Sequence, residues 1–258
     1  MNLAPNPFTA AIRDGRKQLG LWVSLGSNFA AEVVRSSGFD WVLLDMEHSP
    51  TELGAVLGQM QVFAGTATTT VVRPPWMDTV LVKRLLDSGA PGLLFPMIQT
   101  VEEARAAVAA TRYPPRGVRG VSGSTRANAF GRITDYFQRV ENETTVIVQI
   151  ESQAALACAE DIAAVDGVTG VFFGPADIGA DMGLLGDPMN PAIWERIRPV
   201  ARRLAERGVP CGTIVLNPDF ALDLLGNEFC FVAVGSDAHL LASGADRVLA
   251  QVRAALPS

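Results

Sequence analysis

Val146-Ile-Val-Gln-Ile-Glu151 and Val171-Phe-Phe-Gly-Pro-Ala-Asp177 are the two stretches whose reading decides the fold. Each is a short apolar run of β-branched or aromatic residues that leads to a carboxylate. Runs of this kind are the mark of parallel strands buried on both faces. The two acids then stand near the carboxyl ends of neighbouring strands, and neither run contains a Lys or Arg. Like charges in a poorly solvated place repel each other and lose hydration unless something positive lies between them. A divalent cation is the simplest such partner. The pair therefore predicts a metal site at the mouth of an α/β barrel.

Working outward, the same strand pattern recurs at 21–25, 40–45, 68–73, 92–96, 212–216 and 231–235. Helical spacing fills the gaps. Segments 9–18, 29–37 (with Asn28 as its cap and Gly38 as its stop), 51–60 and 79–88 come first, and Pro74-Pro75 forbids a helix directly after the third strand. Thr100-Val-Glu-Glu103 reads as a capping box opening the next helix. Segments 133–140, 152–164, 178–182, 191–207 and 237–256 follow, the helix at 191 starting from Asn190-Pro191 and stopping at Gly208. About eight strands alternating with helices give a parallel sheet, and at this length a closed (β/α)8 TIM barrel is favoured over an open sheet. No repeat or linker divides the chain, so residues 1–258 are expected to form a single domain. The Pro- and Gly-rich stretch 113–127 is long for a structureless connection, and such loops are often functional.

Bulk properties narrow the class. The chain has 258 residues, 48% of them hydrophobic, and a mean hydropathy of +0.23. That is ample material for a core and argues against disorder. A net charge of -6 without any basic run argues against nucleic acid as a partner. No charged-then-apolar leader and no uncharged apolar stretch of about 18 residues is visible, so neither a signal peptide nor a membrane span is expected. Cys158, Cys211 and Cys230 are widely spaced and form no CxxC, as in a reduced cytoplasmic protein.

In a barrel of this kind reactive groups gather just past the strand carboxyl ends. The polar residues there are Asp45, Glu47 and His48 after the second strand, Arg73 ending the third, Gln149 and Glu151, and Asp177; Trp22 on the first strand could wall the pocket. A carboxylate-only pair completed by water suits a hard cation such as Mg²⁺ or Mn²⁺. Gly174-Pro175-Ala176-Asp177 precedes a helix whose free N–H groups could hold a substrate carboxylate. His48 could act as a base near neutral pH. Arg73 could stabilise an oxyanion. Each has a plainer reading: helix caps for the two acids, an ordinary turn at Gly174, a surface histidine, a salt bridge from Arg73 to Asp45 or Glu47. On composition alone Asp87 is a solvated helical acid, and His239 is structural.

Together, Gly38-Phe-Asp-Trp-Val-Leu-Leu-Asp-Met-Glu-His48, Val72-Arg-Pro-Pro-Trp76, Gly117-Val-Arg-Gly-Val121, Val148-Gln-Ile-Glu151 and Val171-Phe-Phe-Gly-Pro-Ala-Asp-Ile178 resemble the class II pyruvate-type aldolases. This is the group of 4-hydroxy-2-oxoheptanedioate and 2-dehydro-3-deoxyglucarate aldolases, within the phosphoenolpyruvate/pyruvate barrel superfamily. The resemblance implies a TIM barrel with a C-terminal helix exchanged between subunits, and a homohexamer. It implies a lyase that reversibly cleaves 4-hydroxy-2-oxo acids into pyruvate or hydroxypyruvate and an aldehyde, as in aromatic catabolism. It implies a divalent cation (Mg²⁺ or Mn²⁺, with Co²⁺ a further candidate) held by Glu151 and Asp177 and stabilising the enolate, His48 as base paired with Asp87, and Arg73 at the oxyanion. Gln149 and the backbone of Gly174, Pro175 and Ala176 match substrate contacts, and Val121 and Leu216 match apolar residues at the aldehyde end. Met77 stands where the family usually has Asn, and segment 122–132 departs from the heptanedioate enzymes; both bear on the aldehyde. Two rival readings remain. One is an acyl-CoA lyase of the citramalyl-CoA type, with Arg116 and Arg119 as phosphate ligands. The other is a non-catalytic 2-oxo-acid-binding protein, which would have no use for His48 and Arg73.

Overall fold

The computed structural model describes residues 1–256. Eight parallel strands close into a barrel in chain order: β1 (Gln18–Val23), β2 (Trp41–Asp45), β3 (Thr69–Arg73), β4 (Gly92–Phe95), β5 (Thr145–Ile150), β6 (Gly170–Phe173), β7 (Cys211–Val215) and β8 (Phe231–Ser236). The helices are α1 (Pro7–Arg13), α2 (Asn28–Arg35), α3 (Leu53–Phe63), α4 (Thr79–Asp87), α5 (Val101–Thr111), α6 (Tyr136–Glu143), α7 (Gln153–Ala157), α8 (Ala159–Ala163), α9 (Pro175–Asp181), α10 (Pro191–Glu206), α11 (Pro218–Gly226) and α12 (Asp237–Ala255). The strands agree with the sequence reading to within about three residues at each end.

Alternation along each strand sorts the side chains into two layers. Val146, Val148 and Ile150 of β5 face the helices, as do Val42 and Leu44 of β2. Ile147, with Leu43, Val71, Leu94 and Phe172, faces the barrel axis. Aromatic residues fill that interior: the rings of Trp41 and Phe231 lie 5.8 Å apart and those of Trp22 and Phe172 5.4 Å. Glycine makes room for them. A Cβ on Gly212 would lie 2.0 Å from the Phe231 ring, and one on Gly20 would lie 2.2 Å from Trp41. Phe8 and Ile12 of α1 join the inner layer and close the amino-terminal end.

Eight of the twelve helices start at a side-chain cap, each contributing on the order of 1 kcal/mol; α3, α6, α8 and α9 have none. The expected box at Thr100 and Glu103 is present. Elsewhere capping moves the boundaries. Asn6 caps α1 with Pro7 at its first position, so the helix starts two residues early and ends before Gln18, which opens β1. Ser27, not Asn28, caps α2. Segment 152–164 is two short helices, because the backbone at Cys158 (φ -114°, ψ 14°) leaves the helical region. Helix α11, capped by Asn217, did not show in the sequence pattern. Helix α9 begins at Pro175, which puts Asp177 inside its first turn.

Helix α12 is unlike the others. Only Asp237 at its first position is buried, while Leu240, Leu241, Val248, Leu249 and Val252 are exposed. Asp237 ties it to the end of β1 by accepting from the Ser24 and Leu25 N–H groups at 2.9 and 3.2 Å. Among the described residues no helix is long and apolar enough to cross a membrane.

Candidate active site

The period-two rule that buries Leu43, Val71 and Ile147 also puts the residues two further along each strand over the axis. Asp45, Arg73 and Gln149 are therefore the polar top of the inner layer, with Glu151 just past the end of β5; all four are buried. A cavity of about 300 Å³, the low end of the range for small-molecule sites, opens above them. Its lining includes Trp22, His48, Arg73, Gln149, Gly174, Pro175, Ala176, Asp177 and Leu216. A second cavity of about 300 Å³ lies at the amino-terminal end beside residues 3–7 and contains none of these residues.

Arg73 organises one side of the mouth. Its Nε and Nη2 donate to the two carboxylate oxygens of Asp45, both at 2.8 Å. Its Nη1 is 2.8 Å from Glu47 Oε2, an ion pair not aligned as a hydrogen bond. The guanidinium carbon lies 5.1 Å from the centre of the Trp22 ring. The salt-bridge reading and the pocket reading of Arg73 thus both hold: it is ion-paired and it lines the cavity. Burial holds the Glu47 carboxyl above its ordinary range, partly offset by Arg73. His48 Nε2 is 3.9 Å from Glu47 Oε2, and its side chain is 68% exposed.

Glu151 occupies the other side. One oxygen accepts from the Met97 N–H at 2.7 Å and the other from Gln149 Nε2 at 2.6 Å. A Cβ on Gly174 would lie 2.9 Å from Glu151 Cγ, so only glycine lets the start of α9 come down onto this carboxylate. Burial, with the charges of Asp177 and Glu47, raises the Glu151 pKa to about 7, against the pull of the Met97 N–H. Met97 is in the left-handed region at φ 54°, a cost that a non-glycine residue bears only where its surroundings enforce it. The buried Oε1 of Gln149 has no protein partner. In α9 the first intrahelical bond runs from Ile178 N–H to Gly174 O, so the Ala176 and Asp177 N–H groups stay free.

A divalent cation suits this arrangement. Glu151 is buried, carries an elevated pKa, and feels the charge of a second acid, which is what a carboxylate shows when its counter-charge is missing. Among the described residues no cluster of three or more His, Cys, Asp or Glu could hold a metal. Two carboxylates with water and substrate in the other positions is how Mg²⁺ is commonly held.

Two of the residues singled out in the sequence are not brought to the cavity of their own chain. Asp87 lies at the far end of α4, about 13 Å along the helix axis from its start near the rim, where Arg119 Nη2 donates to it at 2.7 Å. Val121 is exposed in the loop after α5. That loop packs at the amino-terminal end, where Arg119 is fully buried, stacks on Tyr113 and donates to the Tyr136 hydroxyl at 3.2 Å. Within one chain, then, His48 and Asp87 are not brought together.

The match to known proteins is with carbon–carbon lyases. Residues 18–244 match the family described as HpcH/HpaI aldolase/citrate lyase. The chain belongs to the HpcH/HpaI aldolase/citrate lyase family. It is 44% identical over 247 residues to a 4-hydroxy-2-oxo-heptane-1,7-dioate aldolase of Escherichia coli, covering 95% of this chain and 94% of that one. It is 46% identical over 251 residues to a pyruvate aldolase of Rhizobium etli, covering 97% and 99%. The crystal structure of an HpcH/HpaI family protein from Burkholderia cenocepacia superposes with a TM-score of 0.91 at 37% identity, covering 96% of this chain and 99% of that one. The protein is thus a lyase of the aldolase kind on a TIM barrel. Sequence reading missed Met97, Pro188, Met189, Ile214 and Val215 at this site. Ile214 and Val215 could have been found as the carboxyl end of a predicted strand; Pro188 and Met189 carry no local signal, because the α9–α10 loop reaches the cavity only through the barrel's closure.

Proposed function

We propose that this HpcH/HpaI protein is a cation-dependent aldolase that cleaves 4-hydroxy-2-oxo acids into pyruvate or hydroxypyruvate and an aldehyde, and runs the reverse condensation. The observation that carries the reading is the buried Glu151, which lies under Gly174, feels the charge of Asp177, and sits beneath a cavity that Gln149, Gly174, Asp177, Arg73 and His48 line. Glu151 and Asp177 would hold the cation, Mg²⁺ or Mn²⁺ by their hardness. When bound, it would act as a Lewis acid on the 2-oxo oxygen.

The chain's own groups supply the rest. The Ala176 and Asp177 N–H groups would bind the substrate carboxylate, and the free Oε1 of Gln149 would accept from a substrate hydroxyl. Arg73, held rigidly by Asp45 and Glu47, would add positive charge at the oxygen where the enolate develops. In cleavage His48, directly or through a water, takes the C4 hydroxyl proton as the C3–C4 bond breaks and its electron pair passes to C3. The aldehyde leaves, and a proton delivered to C3 completes pyruvate. No lysine is placed for a Schiff base: Lys17 Nζ donates to Phe229 O at the amino-terminal end, and Lys83 lies within α4.

The exposed apolar residues of α12 support a homo-oligomer, with an exchanged C-terminal helix and six subunits as the proposed form. In it Asp87 and Val121 would serve a neighbouring subunit's cavity. Arg116 pairs with Glu141 and Asp166, and Arg119 is buried against Asp87, so neither is free for the phosphates of an acyl-CoA. The deciding experiment is incubation of pyruvate or hydroxypyruvate with a small aldehyde and Mg²⁺ or Mn²⁺. A new 4-hydroxy-2-oxo acid that vanishes with chelator is expected; full activity in cation-free protein would overturn the proposal.

A further inference from the structure

The pair of Arg119 and Asp87 has no role in the cavity of its own chain, yet the loop after α5 is built around it. Arg119 has no exposed surface. Gly117 lets the loop close onto α5, since a Cβ there would lie 2.4 Å from the carbonyl oxygens of Ala109 and Arg112. The same two carbonyls accept from the Val118 and Arg119 N–H groups at 2.8 and 2.9 Å. The guanidinium then stacks 4.5 Å from the centre of the Tyr113 ring. Its Nη2 donates to Asp87 Oδ1 at 2.7 Å and to the Tyr136 hydroxyl at 3.2 Å. Its Nε and Nη1 are buried and have no partner among the described residues. A buried cation with two idle donors costs stability, and an apolar side chain of its size would serve packing better.

Asp87 is no better placed for stability. It is the last residue of α4, where the helix dipole disfavours an acid. Its side chain is 23% exposed. Arg119 holds Oδ1, and among the described residues nothing donates to Oδ2. The loop grips this helix end a second time. Arg126 Nη1 donates to Ser88 O at 2.7 Å, and Gly89, at φ +92°, leaves it room, since a Cβ there would lie 2.8 Å from that nitrogen. One oxygen of a part-exposed carboxylate is thus clamped, and the other is left for a donor outside the chain.

We propose that Arg119 is a positioning residue for a neighbouring subunit's reaction: it fixes Asp87 so that Oδ2 accepts from a ring N–H of His48 of the partner subunit. The inference rests on the aldolase reading and on the oligomer proposed with it. A histidine that takes a proton through one ring nitrogen needs the other held as a donor, which sets its tautomer and orientation. A carboxylate on a rigid mount does this, and one free to turn does not. Arg119 supplies the mount, because a planar guanidinium stacked on Tyr113 has a fixed orientation that a lysine ammonium would lack.

A double-mutant cycle tests this in the full-length, Mg²⁺- or Mn²⁺-loaded enzyme with pyruvate and a small aldehyde. Arg119→Met should lower kcat by about 10–100-fold, the scale on which outer-shell partners act, and change the KM for pyruvate by less than about twofold. Asp87→Asn should lower kcat at least as much, and the double variant should be no slower than Asp87→Asn alone. Losses that multiply would show a separate structural role and overturn the inference. Arg119→Lys keeps the charge without the planar group, and it carries the same cycle if the Met variant does not fold. Subunit mixing is the second arm. Co-expressed His48→Ala and Arg119→Met chains with different tags give mixed assemblies, in which His48 of one chain meets the intact Arg119 and Asp87 of the other. Activity above that of either variant alone is expected; no gain would confine the effect of Arg119 to its own chain and overturn the proposal. Full turnover in Arg119→Met would overturn it while leaving the aldolase reading intact, and no turnover in the wild-type protein would overturn both.

Discussion

Replacing Glu151 with Gln makes a sharp test of the electrostatics, because it should stabilise the cation-free protein while abolishing its response to the cation. In the folded chain the Glu151 carboxyl is raised from 4.5 to about 7, chiefly by burial. A group whose folded pKa lies above its unfolded one supports folding fully below pH 4.5 and loses that support as pH rises through 7. At 1.36 kcal/mol per pH unit the loss is about 3 kcal/mol. Gln keeps the shape and has no charge to desolvate. Its amide can still accept from Met97 N–H, and Gln149 can turn its unpartnered Oε1 toward the introduced NH₂. Urea unfolding of both cation-free proteins at pH 5 and pH 8, at one protein concentration, should show the variant gaining on wild type by about 2–3 kcal/mol across that interval. Adding Mg²⁺ to about a hundred times its Kd should then stabilise wild type by about 2.7 kcal/mol and leave the variant unmoved. A stability difference flat with pH would refute the burial argument, and an equal Mg²⁺ response would remove Glu151 as a ligand.

Other outcomes follow from the same geometry. His48→Ala should lower kcat by about 10²–10⁴-fold with little change in unfolding free energy, since the side chain is 68% exposed; a wild-type rate would reassign the base. Arg73→Met leaves Asp45 buried without its counter-charge, and denaturant melts should show a loss of about 3–5 kcal/mol. Gly174→Ala puts a methyl 2.9 Å from Glu151 Cγ, so calorimetry should find weakened cation binding in a protein that still folds. Val248→Asp and Leu241→Asp, on the exposed face of α12, should shift light-scattering mass toward smaller species without unfolding the barrel.

Much of this molecule was legible locally. The eight strands, the capping box at Thr100, and the concentration of Asp45, Arg73, Gln149, Glu151 and Asp177 at strand ends all follow from composition and short-range pattern, because burial on both faces forces continuous apolar runs and leaves polar residues only where a strand stops. The break at Cys158, the early start of α9 and the α11 helix were not, since each depends on where neighbouring elements let the backbone turn.

The sequence by itself determined the barrel, the family, and which side chains crown the inner layer. Only the tertiary structure decided how they meet. Arg73 is locked by Asp45 from the adjacent strand, Met97 and Gly174 close on Glu151 from β4 and β6, and Asp87 is held by Arg119 at the opposite end. The reason is physical. A strand's period specifies which way a side chain points, but distance between side chains on different strands exists only once the sheet has closed into a ring.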